Sequence, residues 1–412
     1  MAAAAAANEK VMYRSMARDR ATKVAFLKIA DCFANIDIMA KHKHHRSKVR
    51  IRSRLQLAVT MGGDLNLENS EGRTLLLHAV KTWQAEYVEQ LCEFKVNLNC
   101  KDLNGNSALL LAIDKIKFDI ALCLIKNGAD VNSQSRNGET PLMRCVTHGN
   151  VSIFDKLMER EDIKLDLQNA QGLTALHLVI VHCRRHPNGS HFLERLIERK
   201  ASMTILDNEK KPPLVKCIEG KNVSALDILM GKMAKTEREA QFHEMTYLAY
   251  SVAIGEIDVA IGMIKNHPID VNAKFGPWEN VFPLAVDSNS LPLVKKLVDA
   301  GCSFRVCQIR TYALERAFAK GPDPKYDVNI TKYIIDKYLE LGDMSFMLEN
   351  HSGNKCSDDV VEFCKKHPDT QMKIRQVYKR DFMLMTDDDH HLMKQFLKLG
   401  GRDLIDLFIE YL

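Results

Sequence analysis

The sequence lacks the features that mark membrane, secreted and fibrous proteins. No apolar run approaches the 18 or more residues of a membrane-spanning helix, and the run Ala2 to Ala7 is too short and too weakly apolar for a secretion signal. With only 20 Gly and 11 Pro in 412 residues, the chain is neither collagenous nor dominated by linkers. We therefore expect a folded chain without a membrane span.

Metal and redox motifs are also absent. The 11 cysteines are scattered, odd in number, and never spaced as Cys-x-x-Cys. The histidines at 42, 44 and 45 stand among cations, and the acidic run Asp387 to Asp389 before His390 and His391 has no ligand spacing. We predict no metal or other cofactor, reduced thiols that mostly pack in a core, and a cytoplasmic or nuclear location.

Neither sign of charge dominates, because 58 Lys and Arg face 53 Asp and Glu. The one concentrated feature is residues 41–54, where seven of fourteen residues are Lys or Arg. Such a run is typical of a nuclear-import or nucleic-acid-tethering segment, and equally of a solvated segment that leads into a capping unit. Outside this segment we predict no nucleic-acid binding.

The motifs of common enzyme classes are missing as well. There is no glycine-rich phosphate loop, nucleophile elbow or kinase loop set, and the segment His243-Glu244-Met245-Thr246-Tyr247 departs from the zinc motif His-Glu-x-x-His at its last position. We predict that the protein is not an enzyme and has no small-molecule substrate.

What the sequence does contain is a repeat. Glycines recur at 72, 105, 138 and 172, at spacings of 33, 33 and 34 residues, and each is followed two residues later by Thr or Ser. Glycine supplies the positive φ of a tight turn, and the hydroxyl can cap the helix that follows. Two segments with helical apolar periodicity follow each turn, and the second of them ends in a cluster such as Gly128 to Asn132. Since one helix pair cannot bury its apolar faces alone, neighbouring pairs must stack.

These strings resemble the ankyrin-repeat family. The resemblance rests on Thr174-Ala175-Leu176-His177 and Thr140-Pro141-Leu142-Met143, and on Asn99, Asn132 and Asn272 at or near the family's Asp-Val-Asn end. It implies an all-α solenoid of stacked helix-turn-helix units with short β-turn hairpins. We predict an N-terminal helical and basic segment over 1–54, an array over 55–305 that is clear to about 207, and a C-terminal helical tail over 306–412.

Proteins of this family bind protein partners through the turn tips and the inner face of the first helices. Carried over position by position, the resemblance implies the following contact residues: Ser70, Glu71, Arg73, Lys81, Asn104, Asn106, Asp114, Lys115, Arg136, Asn137, Glu139, Thr147, His148, Gln171 and His182. Their charges are mixed, which favours a polar protein epitope over a phosphate-lined groove. The prediction is a protein-binding scaffold or adaptor.

Two alternatives stay open at this point. One is a substrate-recognition adaptor of a ubiquitin ligase, in which the tail from Cys356 to Leu412 docks a ligase subunit or else caps the array. The other is a co-chaperone, because His367-Pro368-Asp369 resembles the tripeptide of J-domains.

Overall fold

The structure is a computed structural model that describes residues 27–37, 48–69, 71–182, 188–276, 280–303, 317, 327–340, 363, 366–374 and 376. The chain divides into two compact units, and the division falls between Met233 and Ala234, inside the predicted array.

The first unit consists of helix pairs. Residues 27–37 are helical. The helices that follow are α1 Lys48–Thr60, α2 Leu75–Lys81, α3 Ala85–Glu93, α4 Ala108–Asp114, α5 Phe118–Lys126, α6 Pro141–His148, α7 Val151–Met158, α8 Ala175–His182, α9 Gly189–Glu198, α10 Pro213–Glu219 and α11 Val223–Lys232. The prediction of an all-α repeat of helix pairs is confirmed.

The predicted caps start the first helix of each pair. The side-chain oxygens of Thr74, Ser107 and Thr140 accept the backbone N–H of Leu77, Leu110 and Met143, which satisfies one unpaired donor at each helix start. A cap also fixes where each short helix begins, and hence which face it turns to its neighbours.

The helices form two layers. The first helices α2, α4, α6, α8 and α10 each pack on the next, and the second helices α1, α3, α5, α7, α9 and α11 do the same. Each first helix contains at least one buried leucine: Leu75, Leu109, Leu142, Leu176 and Leu214 are examples. No single pair encloses a core, so burial requires the neighbouring pairs.

The repeat-ending asparagines hold one unit to the next. The side-chain oxygen of Asn66 accepts the backbone N–H of Asn97 at 2.8 Å, and that of Asn132 accepts the N–H of Lys164 at 2.7 Å. Asn99 does the same for Asp130. These bonds satisfy loop amides and set the spacing between successive turn tips.

The basic segment is only partly described. Residues 41–47 lie outside the described residues, whereas residues 48–54 belong to α1, which runs across the predicted boundary between 54 and 55. Ile51, Leu55 and Ala58 form its buried stripe, while Arg50, Arg52 and Arg54 are exposed. These three arginines therefore lie on the outside of a packed helix.

The second unit begins with α12 Lys235–Arg238 and an antiparallel hairpin of β1 Gln241–Phe242 and β2 Met245–Thr246. The helices α13 Tyr247–Ala253, α14 Ile257–Asn266, α15 Phe282–Asp287, α16 Leu291–Asp299 and α17 Val328–Glu340 follow. α13 packs on α14 and α15, and α16 contacts α14, α15 and α17. The layered pairing of the first unit thus recurs here within its own core.

Two cysteines of neighbouring second helices are in contact. The thiol of Cys92 on α3 donates a hydrogen bond to the sulfur of Cys123 on α5, and this bond lowers the pKa of Cys123 to about 7 although burial opposes the change. The side-chain amide of Asn127 lies 3.6 Å from the same sulfur and also lowers the pKa. Cys123 is therefore more readily ionised at neutral pH than an ordinary cysteine.

Among the cysteines that the structure describes, we expect Cys123 to react first with iodoacetamide at pH 7, since the thiolate is the nucleophile. Peptide mass spectrometry against time measures the order of labelling. Replacing Cys92 with alanine removes the donor, so Cys123 should then react roughly tenfold more slowly at pH 7. Cys145 is the internal control, because burial raises its pKa and it should label last. Equal rates for Cys123 and Cys145 would contradict the assigned contact.

Candidate functional site

Four successive turn tips of the first unit are joined by backbone hydrogen bonds into a ladder. The carbonyl of Asn104 accepts the N–H of Arg136 at 3.2 Å, and the carbonyl of Asn137 accepts the N–H of Ala170 at 2.8 Å. A third bond joins the carbonyl of Gln171 to the N–H of Asn208. Successive tips are therefore held in a fixed register, which positions their exposed side chains relative to one another.

Arg144 organises the space below two of these tips. The residue is buried on α6, where its Nη2 donates to Asn106 Oδ1 at 2.8 Å and its Nε donates to Glu139 Oε2 at 3.2 Å. Its Nη1 pairs with Asp114 Oδ2, and His148 Nε2 lies 3.5 Å from the other oxygen of Asp114. Charge-assisted bonds to one planar guanidinium hold these side chains in place.

A small polar cavity opens beside this cluster. It measures about 180 Å³ and is lined by Asn104, Asn106, Ser135, Arg136, Asn137 and Arg144. Asn104, Arg136 and Asn137 are exposed at its mouth, whereas Asn106 is buried. Ligand pockets for drug-sized molecules start at roughly 300 Å³, so this space suits a single inserted side chain.

The mouth of the cavity offers hydrogen-bond donors. Among the described residues, the Arg136 guanidinium has no hydrogen-bond or ion-pair partner. The amide groups of Asn104 and Asn137 add further donors, and each also has an acceptor oxygen. The arrangement can accept a carboxylate or an amide side chain presented from solution.

The structure brings together seven of the residues predicted from sequence: Asn104, Asn106, Asp114, Arg136, Asn137, Glu139 and His148. Asn106 is the one member of this group that lies buried, where it holds Arg144. Thr147 and Gln171 are exposed outside the cluster, His182 is half-buried, and Ser70 lies outside the described residues.

A second group of predicted residues forms a cationic cluster. Arg73 pairs with Glu71, while Lys81 and Lys115 have no ion-pair partner among the described residues. Burial lowers the pKa of Lys81, and the positive charges of Arg73 and Lys115 lower it further, with Asp102 opposing. These cations repel one another in the free protein, so a partner's carboxylate would relieve the repulsion.

Sequence reasoning missed Arg144. The sequence does contain a signal for it. Arg144 stands six residues after Gly138, and at the equivalent position the two neighbouring repeats have Leu111 and Leu178. A cation at a position that the adjacent repeats fill with leucine indicates a local polar network.

For the two alternative functions, the co-chaperone and the ligase adaptor, the described residues form no comparable site. His367 precedes a helical stretch in which Pro368 and Asp369 occupy the first turn, and residue 366 before it is also helical. Within 356–412, only 363, 366–374 and 376 are described, so the predicted docking or capping role of the tail lies outside the described residues. In the described ranges, no three His, Cys, Asp or Glu side chains converge to hold a metal ion. No described helix is long and apolar enough to cross a membrane.

Comparison with known proteins identifies the repeat. Residues 53–135 and 116–188 match the family model described as ankyrin repeats in three copies. The chain is similar to alpha-latrotoxin-Lg1a of Latrodectus geometricus, with 28% identity over 125 residues that cover 30% of this chain and 9% of the toxin. An ankyrin repeat protein of Variola virus is 28% identical over 128 residues, which cover 31% of this chain and 22% of the viral protein.

A third relative is the ankyrin repeat and KH domain-containing protein mask-1 of Caenorhabditis elegans, which is 34% identical over 102 residues that cover 24% of this chain and 4% of that protein. The chain thus spans less than a quarter of the length of each of these relatives. Among solved structures, an ankyrin repeat domain from Acinetobacter baumannii aligns with a TM-score of 0.42 and 19% identity, over 48% of this chain and 97% of that one.

Proposed function

We propose, from the premise that this chain is an ankyrin-repeat protein, that it binds a segment of another protein across the tips and first helices of residues 71–182. Ankyrin repeats mediate protein–protein interaction in general and are typically non-enzymatic scaffolds. What this chain adds is a specific anchoring point beside Arg144.

The observation that carries the proposal is the fixed polar cavity. Its floor is held by the hydrogen bonds of Arg144, so the side chains of Asn106 and Glu139 are ordered before binding and lose little conformational entropy on association. The unpartnered Arg136 at its mouth suits an acidic or amide side chain of the partner. The predicted contact residues Asn104 and Asn137 flank the inserted group, while Asn106 supports it from below.

Crosslinking mass spectrometry of the full-length protein in cell lysate tests the proposal. We expect crosslinks to partners at the lysines beside the tips and first helices, such as Lys81, Lys101 and Lys115. Lys126 and Lys156 on second helices should crosslink less. Partner crosslinks confined to the second helices would overturn the assigned face.

Substitution at the cavity gives the quantitative test. Replacing Arg144 with leucine, the residue that the adjacent repeats carry at this position, should weaken binding of the partner identified by crosslinking roughly a hundredfold. The reason is that the side chains of the cavity floor lose the guanidinium that holds them. Replacing Arg136 with alanine should cost roughly tenfold, since one exposed cation is lost. The matched control Lys126→Ala on α5 should bind as the unaltered protein does. Unchanged affinity in the Arg144 and Arg136 variants, measured by titration calorimetry, would refute the cavity as the anchor.

A further inference from the structure

In six helix pairs whose connecting turn is described, the turn between the two helices uses the same backbone conformation. One residue there has a positive φ, and in six pairs this residue is Trp83, Ile116, Gly149, Lys221, Gly255 or Asn289. Glycine adopts this conformation without steric cost, and asparagine does so more easily than most other residues. The two glycines in the series mark what the turn itself prefers.

Trp83 and Ile116 depart from that preference most strongly. Trp83 has a φ of 63° and Ile116 a φ of 56°, and a β-branched or bulky residue with positive φ is a genuine outlier. Burial of the side chain does not offset this backbone strain in either residue, since Trp83 is 56% exposed and Ile116 is 58% exposed. Strain that persists without a folding benefit is characteristic of a functional surface.

The surroundings of these two residues are both apolar and cationic. Phe118, two residues after Ile116, is 41% exposed, and the ammonium group of Lys117 lies 4.1 Å from the centre of the Trp83 ring. Lys81 and Lys115 precede the two turn residues along the chain and have no ion-pair partner among the described residues.

Among the described residues, Lys81, Lys115 and Lys117 form no ion pair with a carboxylate. Asp102 acts electrostatically on Lys81, but its side chain is occupied by the backbone amides of Asn104 and Asn106. Glu86 and Asp119 lie in the first turns of α3 and α5, where the positive end of the helix dipole stabilises them. A lysine-flanked apolar surface matches a ligand of opposite charge that also carries an apolar side chain.

We propose that Trp83, Ile116 and Phe118, together with Lys81, Lys115 and Lys117, form a docking surface for a peptide segment of a partner protein in which acidic residues flank an aliphatic or aromatic side chain. We call this surface the αL ridge, because Trp83 and Ile116 have the left-handed (αL) backbone conformation. The inference rests on the proposed function and extends it, since the αL ridge lies at the helix–helix turns rather than at the turn tips.

A peptide segment fits better than an anionic membrane. Glu86 and Asp119, in the first turns of the helices that follow the two turn residues, would be repelled by a uniformly negative lipid surface, whereas a peptide can place its carboxylates at the lysines alone. Tryptophan is also among the residues that most often dominate protein–protein binding energy.

The test selects random 12-residue peptides against the full-length protein by phage display and measures the affinity of synthesised, fluorescein-labelled winners by anisotropy. We expect Asp or Glu next to Leu, Phe or Trp in the winners. Trp83→Gly and Ile116→Gly should each weaken binding at least tenfold, and a Lys81→Ala, Lys115→Ala double variant should weaken binding several-fold and flatten its salt dependence. Failure to enrich acidic and apolar peptides would overturn the proposal.

The glycine variants also separate a docking role from a structural one. Because glycine removes the backbone strain, the thermal midpoint of Trp83→Gly and Ile116→Gly should stay level or rise by a few degrees while binding is lost. Lys221→Gly, at the same turn position outside the αL ridge, is the matched control and should leave binding unchanged. A lowered midpoint with intact peptide binding would show that the two side chains serve only the fold.

The remaining outcomes are equally distinct. Trp83-dependent sedimentation with phosphatidylserine vesicles, without peptide binding, would overturn the proposal in favour of a membrane surface. Loss of partner binding in the Arg144→Leu variant with no effect of Trp83→Gly would refute the αL ridge alone. Loss in Trp83→Gly with no effect of Arg144→Leu would instead refute the cavity as the anchor.

Discussion

Replacing Gly138 with alanine is expected to lower the free energy of unfolding by about 3–4 kcal/mol. Gly138 has a φ of 74°, where an L-residue costs roughly 1–2 kcal/mol. In addition, a Cβ there would lie 2.9 Å from Asn169 Cα and 3.0 Å from the backbone nitrogen of Ala170. Those atoms are backbone and are tied to Asn137 by the tip ladder, so they cannot move aside cheaply. Urea unfolding followed by circular dichroism measures the loss.

Gly128 provides the matched control for this substitution. Its φ of 87° is similar, but apart from its own chain neighbours no residue has an atom within 4 Å of where its Cβ would be. Alanine at Gly128 should therefore cost only the conformational part, about 1–2 kcal/mol. The difference between the two variants isolates the contact between neighbouring turn tips. Equal losses would show that the tips are not packed as described.

Replacing His177 with alanine is expected to lower the free energy of unfolding by about 3 kcal/mol. The residue is 0% exposed. Its Nε2 donates to the carbonyl of Lys211 at 3.3 Å in the next repeat, and its Nδ1 accepts the backbone N–H of Thr174 at 3.2 Å. Alanine leaves these groups without their partner and opens a cavity between two units. The exposed His148 is the control, and its alanine variant should differ from the unaltered protein by less than about 0.5 kcal/mol.

The same histidine predicts the direction of a pH dependence. Burial lowers the pKa of His177 in the folded state, so the unfolded chain takes up a proton at a higher pH than the folded chain does. The stability due to the neutral imidazole is therefore fully present above about pH 6.5 and is lost as the pH falls below that value. Burial acts on His78 in the same sense, although Asp37 opposes it.

Urea titrations at pH 7.5 and 5.5 measure this dependence. His177→Gln cannot take up the proton, so its stability should fall less between the two pH values than that of the unaltered protein. The difference is bounded by about 1.4 kcal/mol per pH unit for one proton. An identical fall in both proteins would show that His177 does not carry the effect.

The repeat architecture could be predicted because its determinants are local in sequence. The recurring glycines sit at positive φ, and the hydroxyls after all four of them cap helices by short-range bonds. The fifth tip shows the limit of this reasoning. Lys210 takes the position of glycine there, with a φ of 61°, and it follows Gly172 at a longer spacing than the earlier glycines have. The glycine period therefore does not reveal this tip.

The candidate site was predictable only in part. The resemblance gave Asn104, Arg136 and Asn137, because the tip positions follow directly from the period. It could not give Arg144, whose role depends on Asp114 and Asn106 of the preceding repeat being within reach. Likewise, the exposure of Trp83 and Ile116 depends on how neighbouring turns stack, which a periodic pattern alone does not specify.

The sequence by itself determined the all-α class, the period of the units and the caps and turns that bound each helix, since these depend on contacts within about four residues. Only the tertiary structure decided which charged side chains meet across repeats and which apolar ones remain uncovered. It also decided that the compact units divide after Met233, inside the array that the pattern predicted. The physical reason is that stacking brings together side chains some 30 residues apart, and their pairing is set by the packing of the repeats against one another.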